Sequence, residues 1–421
     1  MFAISKKGLF LPEILENRKT FTQMALKVEL SEKVYWLGFN DRRKHLFENQ
    51  WPLEKGVTYN SYLIDDEKTA LIDTAEAPFS GDLVEWVNKL LNGKTLDYLV
   101  INHMEPDHSG AIKEVVAAYP NVTIIGNRKT QPILEGFYAI TKNFKTVAEG
   151  DILDLGKHKL QFFTVPMVHW PESMVTYDIT DSILFSNDAF GSFGTLNGGI
   201  FDDEIDLDTS CFNEEIRRYY SNIVGKYGAQ VQKALAKLST LEIKLIAPSH
   251  GLIWRSQIAY IVERYHKWSI MEGEPGAVIV FGSMYGNTEK MADYIARFLV
   301  EEGVKQVKVY DAAKTHSSHI INDIWKYKSV ILGSCAYNGG VFPPMAHLMS
   351  DLEHYGLKDR LLSVFGSASW GGGGVRAINK FAENIKWEIV GEQFEARCAP
   401  KDSDIEKCRD IAKAVAQRIL A

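Results

Sequence analysis

Short apolar, β-branched runs alternate with amphipathic stretches along most of the chain. In the first two-thirds, positions 34–38, 60–64 and 69–73 predict strands, and an amphipathic helix follows over 82–91. A buried strand is expected over 96–101, then a helix over 111–116 entered through Ser109-Gly110. A strand over 122–126, a helix over 131–137 and strands over 160–165 and 182–186 follow. Together these predict a mixed α/β domain with many strands. After a helix through Tyr260, Ile261 and Tyr265, the segment Met271-Glu272-Gly273-Glu274-Pro275-Gly276 reads as a linker. Beyond it the pattern changes to continuous apolar strands at 277–281, 307–310, 329–333, 361–366 and 387–391, separated by helices such as 289–301. Strands of that kind are buried on both faces. A doubly wound parallel sheet is therefore expected, with its ligand beyond the strand C-termini at the switch point. The pattern divides the chain into residues 1–272 and 273–421, and leaves residues 1–27 as an N-terminal extension without an assigned role.

Composition changes this picture little but excludes several functions. At 421 residues, 46% apolar and 24% charged, the chain has material for two or three cores and no sign of extensive disorder. Its formal charge of −7 argues against nucleic acid as a primary partner, because a phosphate backbone calls for a basic face. No apolar run is long enough for a signal peptide or a bilayer span, so a cytoplasmic protein with no membrane partner is expected. The four cysteines, Cys211, Cys335, Cys398 and Cys408, form no Cys-X-X-Cys pair. That supports neither a disulfide framework nor a built-in iron–sulfur or rubredoxin-type site, so electrons for redox chemistry must come from a separate donor.

The densest chemistry lies in Ile101-Asn102-His103-Met104-Glu105-Pro106-Asp107-His108-Ser109-Gly110, on the turn leaving a strand. Alternation along this turn would send His103, Glu105 and Asp107 one way, with His108 able to swing towards a second point, so the segment could serve two metal ions. Three further ligand-type residues follow expected strands: His169 after Val165-Pro166-Met167-Val168, Asp188 after Leu184-Phe185-Ser186-Asn187, and His250 after Ala247-Pro248-Ser249. Singly, each has an ordinary explanation as a core histidine, a helix cap or a turn residue. Strand ends on one rim converge, however, and together these residues complete a set.

The pattern resembles the metallo-β-lactamase superfamily, whose His-X-His-X-Asp-His signature is followed by a distant His, Asp and His. Glu105 stands in place of the second histidine, the replacement carried by the flavodiiron protein branch. The resemblance implies an αββα sandwich with His103, Glu105, His169 and Asp188 around one iron, and Asp107, His108, Asp188 and His250 around the other, Asp188 bridging. Four imidazoles and three carboxylates make a harder donor set than that of a typical zinc hydrolase, better suited to redox-active iron. Two ferrous ions would be balanced by Glu105, Asp107, Asp188 and one hydroxide, leaving a neutral core that can be buried. Asp73 is expected to orient the His turn as a hydrogen-bond acceptor rather than to ligate.

The last third carries three glycine-rich loops at strand exits. Gly282-Ser283-Met284-Tyr285-Gly286-Asn287-Thr288 runs into a helix N-terminus, where hydroxyls and N–H groups make a phosphate nest; no lysine follows the glycine as in a nucleoside-triphosphate loop. The others are Ser334-Cys335-Ala336-Tyr337-Asn338-Gly339-Gly340 and Ser367-Ala368-Ser369-Trp370-Gly371-Gly372-Gly373-Gly374. Their glycines let the backbone approach a flat ring, on which Tyr337 and Trp370 could stack. These loops resemble those of flavodoxin, and the resemblance implies a flavodoxin-like sheet that binds FMN through all three. The order of the two modules is that of flavodiiron proteins. It implies an FMN-dependent diiron reductase that converts dioxygen to water, nitric oxide to nitrous oxide, or both. It also implies a separate electron donor, rubredoxin by family resemblance, and a head-to-tail homodimer or dimer of dimers. The alternative is a zinc hydrolase with a flavin sensor domain; Glu105 and the fused flavin module count against it.

Overall fold

In the computed structural model, which describes residues 27–207 and 210–421, the apolar runs of the first module become two facing sheets. Its strands are β1 (Lys27–Ser31), β2 (Val34–Asp41), β3 (Leu46–Phe47), β4 (Trp51–Pro52), β5 (Val57–Asp65), β6 (Thr69–Ile72), β7 (Tyr98–Val100), β8 (Thr123–Gly126), β9 (Phe144–Thr146), β10 (Ile152–Asp154), β11 (Lys159–Thr164), β12 (Met174–Asp178), β13 (Ile183–Asn187) and β14 (Leu245–Pro248). One sheet runs β1-β2-β5-β6-β7-β8-β9 and the other β10-β11-β12-β13-β14, while β3 and β4 form a small separate hairpin. Residues on β12, β13 and β14 are buried throughout. The sheets meet where the Tyr62 ring packs 5.1 Å from that of Phe185 and its hydroxyl donates to the Pro248 carbonyl at 2.6 Å. The extension expected over residues 1–27 lies outside the described residues except for Lys27.

Helix α1 (Ser80–Leu91) buries Leu83, Trp86, Val87 and Leu91, one apolar stripe at helical spacing. The next turn departs from expectation. Residues 106–109 are helical, forming α2 (Pro106–Ser109), and α3 (Ile112–Ala118) begins two residues beyond Gly110. The physical reason is Pro106, whose fixed φ suits the first helical position after the extended Glu105. Strand-like alternation therefore ends at Glu105, and Asp107 does not share the direction of His103 and Glu105.

After α4 (Thr130–Tyr138), α5 (Phe212–Tyr219), α6 (Gly228–Leu238) and α7 (Ile258–Ser269), the connection to the second module is shorter than its composition suggests. Strand β15 (Glu274–Gly282) already includes Glu274-Pro275-Gly276, so only 270–273 remain as a turn. The third sheet adds β16 (Val307–Asp311), β17 (Tyr327–Tyr337), β18 (Gly340–Val341), β19 (Leu361–Ala368), β20 (Glu388–Ile389) and β21 (Phe394–Arg397). Its parallel order is β16-β15-β17-β19-β20, with β21 pairing further along β19, the doubly wound arrangement expected. The strand expected over 387–391 is thus split: Gly391 at φ 79° breaks it, and pairing resumes at Phe394. Helices α8 (Asn287–Glu301), α9 (Ser317–Lys326), α10 (Pro343–Tyr355), α11 (Gly374–Ile385) and α12 (Asp402–Ile419) complete this module. Among the described residues no helix is long and apolar enough to cross a membrane.

The two modules share a buried seam. Arg217 on α5 pairs with Asp323 on α9 at 3.2 Å, and the Trp325 indole donates to the Trp268 carbonyl at 3.0 Å. Arg360, 1% exposed, donates to the carbonyls of Met271, Ile324 and Trp325.

Candidate functional site

Parallel pairing of β13 with β14 sets Asn187 opposite Pro248, so Asp188 and His250 leave neighbouring strands on one rim. The turn after β7 brings its histidines to the same place. One donor atom each from His103, Glu105, His169 and Asp188 lie within 4.8 Å of one another, and so do those from Asp107, His108 and His250. All seven side chains are buried. Asp188 faces both groups. Its Oδ2 stands 3.4 Å from Nε2 of His103 and 3.4 Å from Nε2 of His169, while Oδ1 stands 2.8 Å from Nε2 of His108 and 3.5 Å from that of His250. Glu105 Oε2 lies 3.3 Å from His103 and 3.0 Å from His169, and Asp107 Oδ2 lies 3.1 Å from His250. A third donor group, His158 with Asp178 and Asp181, sits at the other end of the β11–β12 hairpin; there the His158 ring already bonds Asp178 at 2.8 Å and the Glu32 carbonyl at 3.2 Å.

Outer contacts fix these groups in place. Asp73 accepts from the Asn102 backbone N–H at 2.7 Å and from its side-chain amide at 3.0 Å, as an acceptor behind the His turn should. Three partners were not singled out from the sequence. Glu172 Oε1 holds His103 Nδ1 at 2.7 Å, the Thr58 carbonyl holds His250 Nδ1 at 2.5 Å, and the Tyr219 hydroxyl donates to Asp188 Oδ1 at 2.9 Å. Tyr219 stands 31 residues beyond Asp188 on a different element, so no local pattern marks it. Burial disfavours imidazolium at His103 and His169. Their carboxylate neighbours outweigh it and raise both pKa values to about 10, and His108 is raised likewise to about 9. Despite burial, the same imidazoles hold Asp188 and Glu105 below the usual carboxylate range. Several buried atoms aimed into the shared space have no hydrogen-bond partner: both Asp107 oxygens, Asp188 Oδ2, and Nε2 of His108 and His250. Lone pairs left so are rare in a folded core and fit a pair of metal ions.

In the second module Ser283, Met284, Tyr285, Asn287, Ala336, Ser367, Ala368 and Ser369 line one cleft beyond the strand C-termini, together with Cys335 and Cys398. Gly286, at φ 83°, turns the first loop into α8, and its N–H donates to Ser283 Oγ at 3.0 Å. Other expected contacts are placed differently. Ser334 directs its hydroxyl to its own loop, donating to the Cys335 carbonyl at 2.8 Å and accepting from the Phe342 N–H at 2.9 Å. Thr288 is fully buried, with its hydroxyl 2.9 Å from that of Ser367. Asn338 and Gly339, both at positive φ, make the tight turn between β17 and β18, and Gly371 lines a neighbouring cavity with Arg376 and Lys380. Gly372, at φ 67°, lies against the Glu395 carboxylate. Tyr337 is partly exposed and Trp370 is 92% exposed, at the rim rather than on the cleft wall. Cys398 escaped sequence reasoning because it follows β21, the strand that the pattern did not predict.

Comparison with known proteins agrees with both halves. Residues 57–251 match the ODP family of β-lactamase domains and residues 279–411 match flavodoxin. Rubredoxin:oxygen oxidoreductase from Desulfovibrio gigas superposes with a TM-score of 0.89 at 29% identity, covering 94% of this chain and 98% of that one. The flavodiiron protein of Giardia intestinalis gives 0.87 at 27% identity, covering 94% and 97%. The nitric oxide reductase of Moorella thermoacetica is 33% identical over 401 residues, 94% of this chain and 100% of that protein. The chain belongs to the flavodiiron protein family. Its fold is accordingly a lactamase-like module followed by a flavodoxin-like one. As a flavodiiron protein it is an oxidoreductase whose cofactors are FMN and a diiron centre, and nitric oxide and dioxygen are the substrates of its relatives.

Proposed function

We propose that this flavodiiron protein reduces nitric oxide to nitrous oxide, dioxygen to water, or both. Electrons would pass from an external carrier through FMN, bound in the 273–421 module, to two irons in the 1–272 module. The irons would be held by His103, Glu105, His169 and Asp188 on one side and by Asp107, His108, Asp188 and His250 on the other. The observation that carries this reading is Asp188, whose two oxygens each face a separate donor group.

When bound, the irons and the flavin supply the electrons and the place where a small diatomic substrate is reduced. The stoichiometry explains why two cofactors are coupled. Dioxygen takes up four electrons and four protons to give two waters, whereas two nitric oxides take up two electrons and two protons to give nitrous oxide and water. The protein holds the carboxylates and imidazoles in a buried rim, and Tyr219, Glu172 and Asp73 fix their orientation.

The name of the Desulfovibrio gigas relative couples rubredoxin to oxygen, and a rubredoxin is the donor proposed here. Tyr285 and Trp370, 89% and 92% exposed, rim the flavin cleft and suit it to face the diiron rim of another copy, as a head-to-tail homodimer or a dimer of such dimers. The place of action would be the cytoplasm.

The test is metal analysis followed by anaerobic reduction and parallel measurement of dioxygen and nitric oxide consumption. Two irons and one FMN per chain, with turnover of at least one gas, are expected. Zinc in place of iron, or a reduced protein inert to both gases, would sink the reading.

A further inference from the structure

The segments that leave β11 and β13 each bring one donor to the His103–Glu105–His169–Asp188 group, and each sets an apolar residue next to it: Val168 before His169 and Ala189 after Asp188. Those two residues line one cavity, together with Val175 on β12, Phe190, and Val231 and Leu235 on α6. The only polar side chain on the wall is Tyr265, whose hydroxyl already accepts from the Phe190 N–H at 2.7 Å. The cavity leaves about 20 Å³ for the centre of a water-sized sphere, room for one small molecule. A water molecule needs two to four polar partners, and this wall offers one at most, so the space favours an apolar occupant. Its walls are fixed. The Val168 N–H donates to the Val165 carbonyl at 3.0 Å, the Ser186 hydroxyl to the Ala189 carbonyl at 2.8 Å, and Lys237 on α6 to the Thr164 carbonyl at 2.7 Å.

We propose that this cavity is a binding site for a small apolar gas molecule, and that the diatomic substrate passes through it from the α6 side to the ion held by His103, Glu105, His169 and Asp188. The inference rests on the proposed reduction of nitric oxide or dioxygen and gives that reading an entry route. Both gases are uncharged and at most weakly polar, so they leave water readily for a hydrocarbon surface, and a dry apolar pocket raises their local concentration. The pocket stands one residue along the chain from two donors of the same ion, His169 and Asp188. Leu235 and Ala234, the half-buried members of its wall, mark the side nearest solvent.

The test uses the full-length protein loaded with iron and FMN. Crystals are pressurised with xenon, an apolar atom that dry cavities take up, and gas consumption is followed across dioxygen and nitric oxide concentrations. Wild type is compared with Val231→Phe, which fills the pocket from α6, and with Val175→Ile, which adds a single methylene and serves if the larger change prevents folding. Xenon is expected in the wild-type pocket and absent from a filled variant. In that variant kcat/KM for at least one gas should fall threefold or more, while iron content and the rate at saturating gas stay at the wild-type level. The assignment is overturned by xenon missing from wild type or retained in both variants. It is equally overturned if a variant that excludes xenon loses less than threefold in kcat/KM for both gases, or loses activity only in proportion to its iron. All of these outcomes leave the reductase reading intact. A wild-type protein that holds two irons and FMN yet consumes neither gas overturns that reading, and the entry route with it.

Discussion

Asp188 shows how much one side chain can carry. Its two oxygens face different donor groups, so Asp188→Asn removes an anionic contact from both at once, and iron content should fall well below two per chain. Tyr219→Phe removes only the 2.9 Å hydroxyl bond to Oδ1. Loss of such an orienting partner typically weakens a metal site by about tenfold to a hundredfold, so this variant should keep its irons at saturating metal and lose them sooner to a chelator. Asp188→Asn retaining two tightly held irons would refute the bridging role. The histidines add a dependence on pH. In the metal-free protein His103, His108 and His169 stand at about 10, 9 and 10, above the ordinary value of about 6.5. Groups raised in this way stabilise the fold fully below their unfolded pKa, and that contribution is lost as pH rises through the folded values. Metal ions must displace the same protons, so uptake should release protons and strengthen as pH rises towards about 9 to 10. The metal-free melting temperature should therefore fall from about pH 6.5 to about pH 10 while that of the loaded protein holds. Identical pH profiles for the two forms would contradict this.

At the scale of elements, the turn after β7 decides how seven donors divide between two groups. Extended backbone through Glu105 keeps His103 and Glu105 together, and the helical turn opened by Pro106 carries Asp107 and His108 to the other group. Gly110 ends that turn in a tight place, where an added methyl group would lie 2.6 Å from the Ala77 nitrogen and 2.6 Å from the Pro106 carbonyl oxygen. Backbone atoms do not give way as a flexible side chain does. Gly110→Ala should therefore destabilise the metal-free protein by about 1–3 kcal/mol and weaken the Asp107–His108–His250 group in particular. A thermal melt and a metal titration would show it; an unchanged melting temperature would mean that α2 can shift at little cost. Alternation, which would place Asp107 with Glu105, fails here because one proline changes the local period from two towards that of a helix.

At the scale of the molecule, Arg217, Trp325 and Arg360 tie the two modules along a buried seam, and the connection leaves no slack beyond 270–273. Swinging one module against the other would strand the buried guanidinium of Arg360, so in the proposed head-to-tail dimer a flavin on one chain would meet the irons of another through rigid association rather than through a flexible linker. A mixed-dimer experiment follows. An iron-deficient His103→Ala/Glu105→Ala variant is combined with a flavin-deficient Ser283→Glu variant, in which a carboxylate occupies the phosphate nest, under conditions that exchange subunits. Each parent should be nearly inactive, and the mixture should recover part of the wild-type turnover. Inactive mixed dimers, or a protein that is monomeric throughout, would refute electron transfer between subunits.

The alternation of apolar runs determined the two modules, because burial of strand and helix faces is a local demand written every two or three to four residues. The seven candidate donors were legible for a related reason: His103, Glu105, Asp107, His108, His169, Asp188 and His250 stand just after such runs, and strand ends share a rim. Tertiary structure alone decided which donors pair, since the parallel register of Asn187 with Pro248 and the helical turn at Pro106 emerge only when strands are hydrogen-bonded and chain ends are joined. It alone supplied Tyr219 and Glu172, whose roles rest on contacts between elements remote in sequence. It also turned Ser334 and Thr288 inwards, because a buried hydroxyl takes the nearest partner, and which partner is nearest is a property of packing rather than of composition.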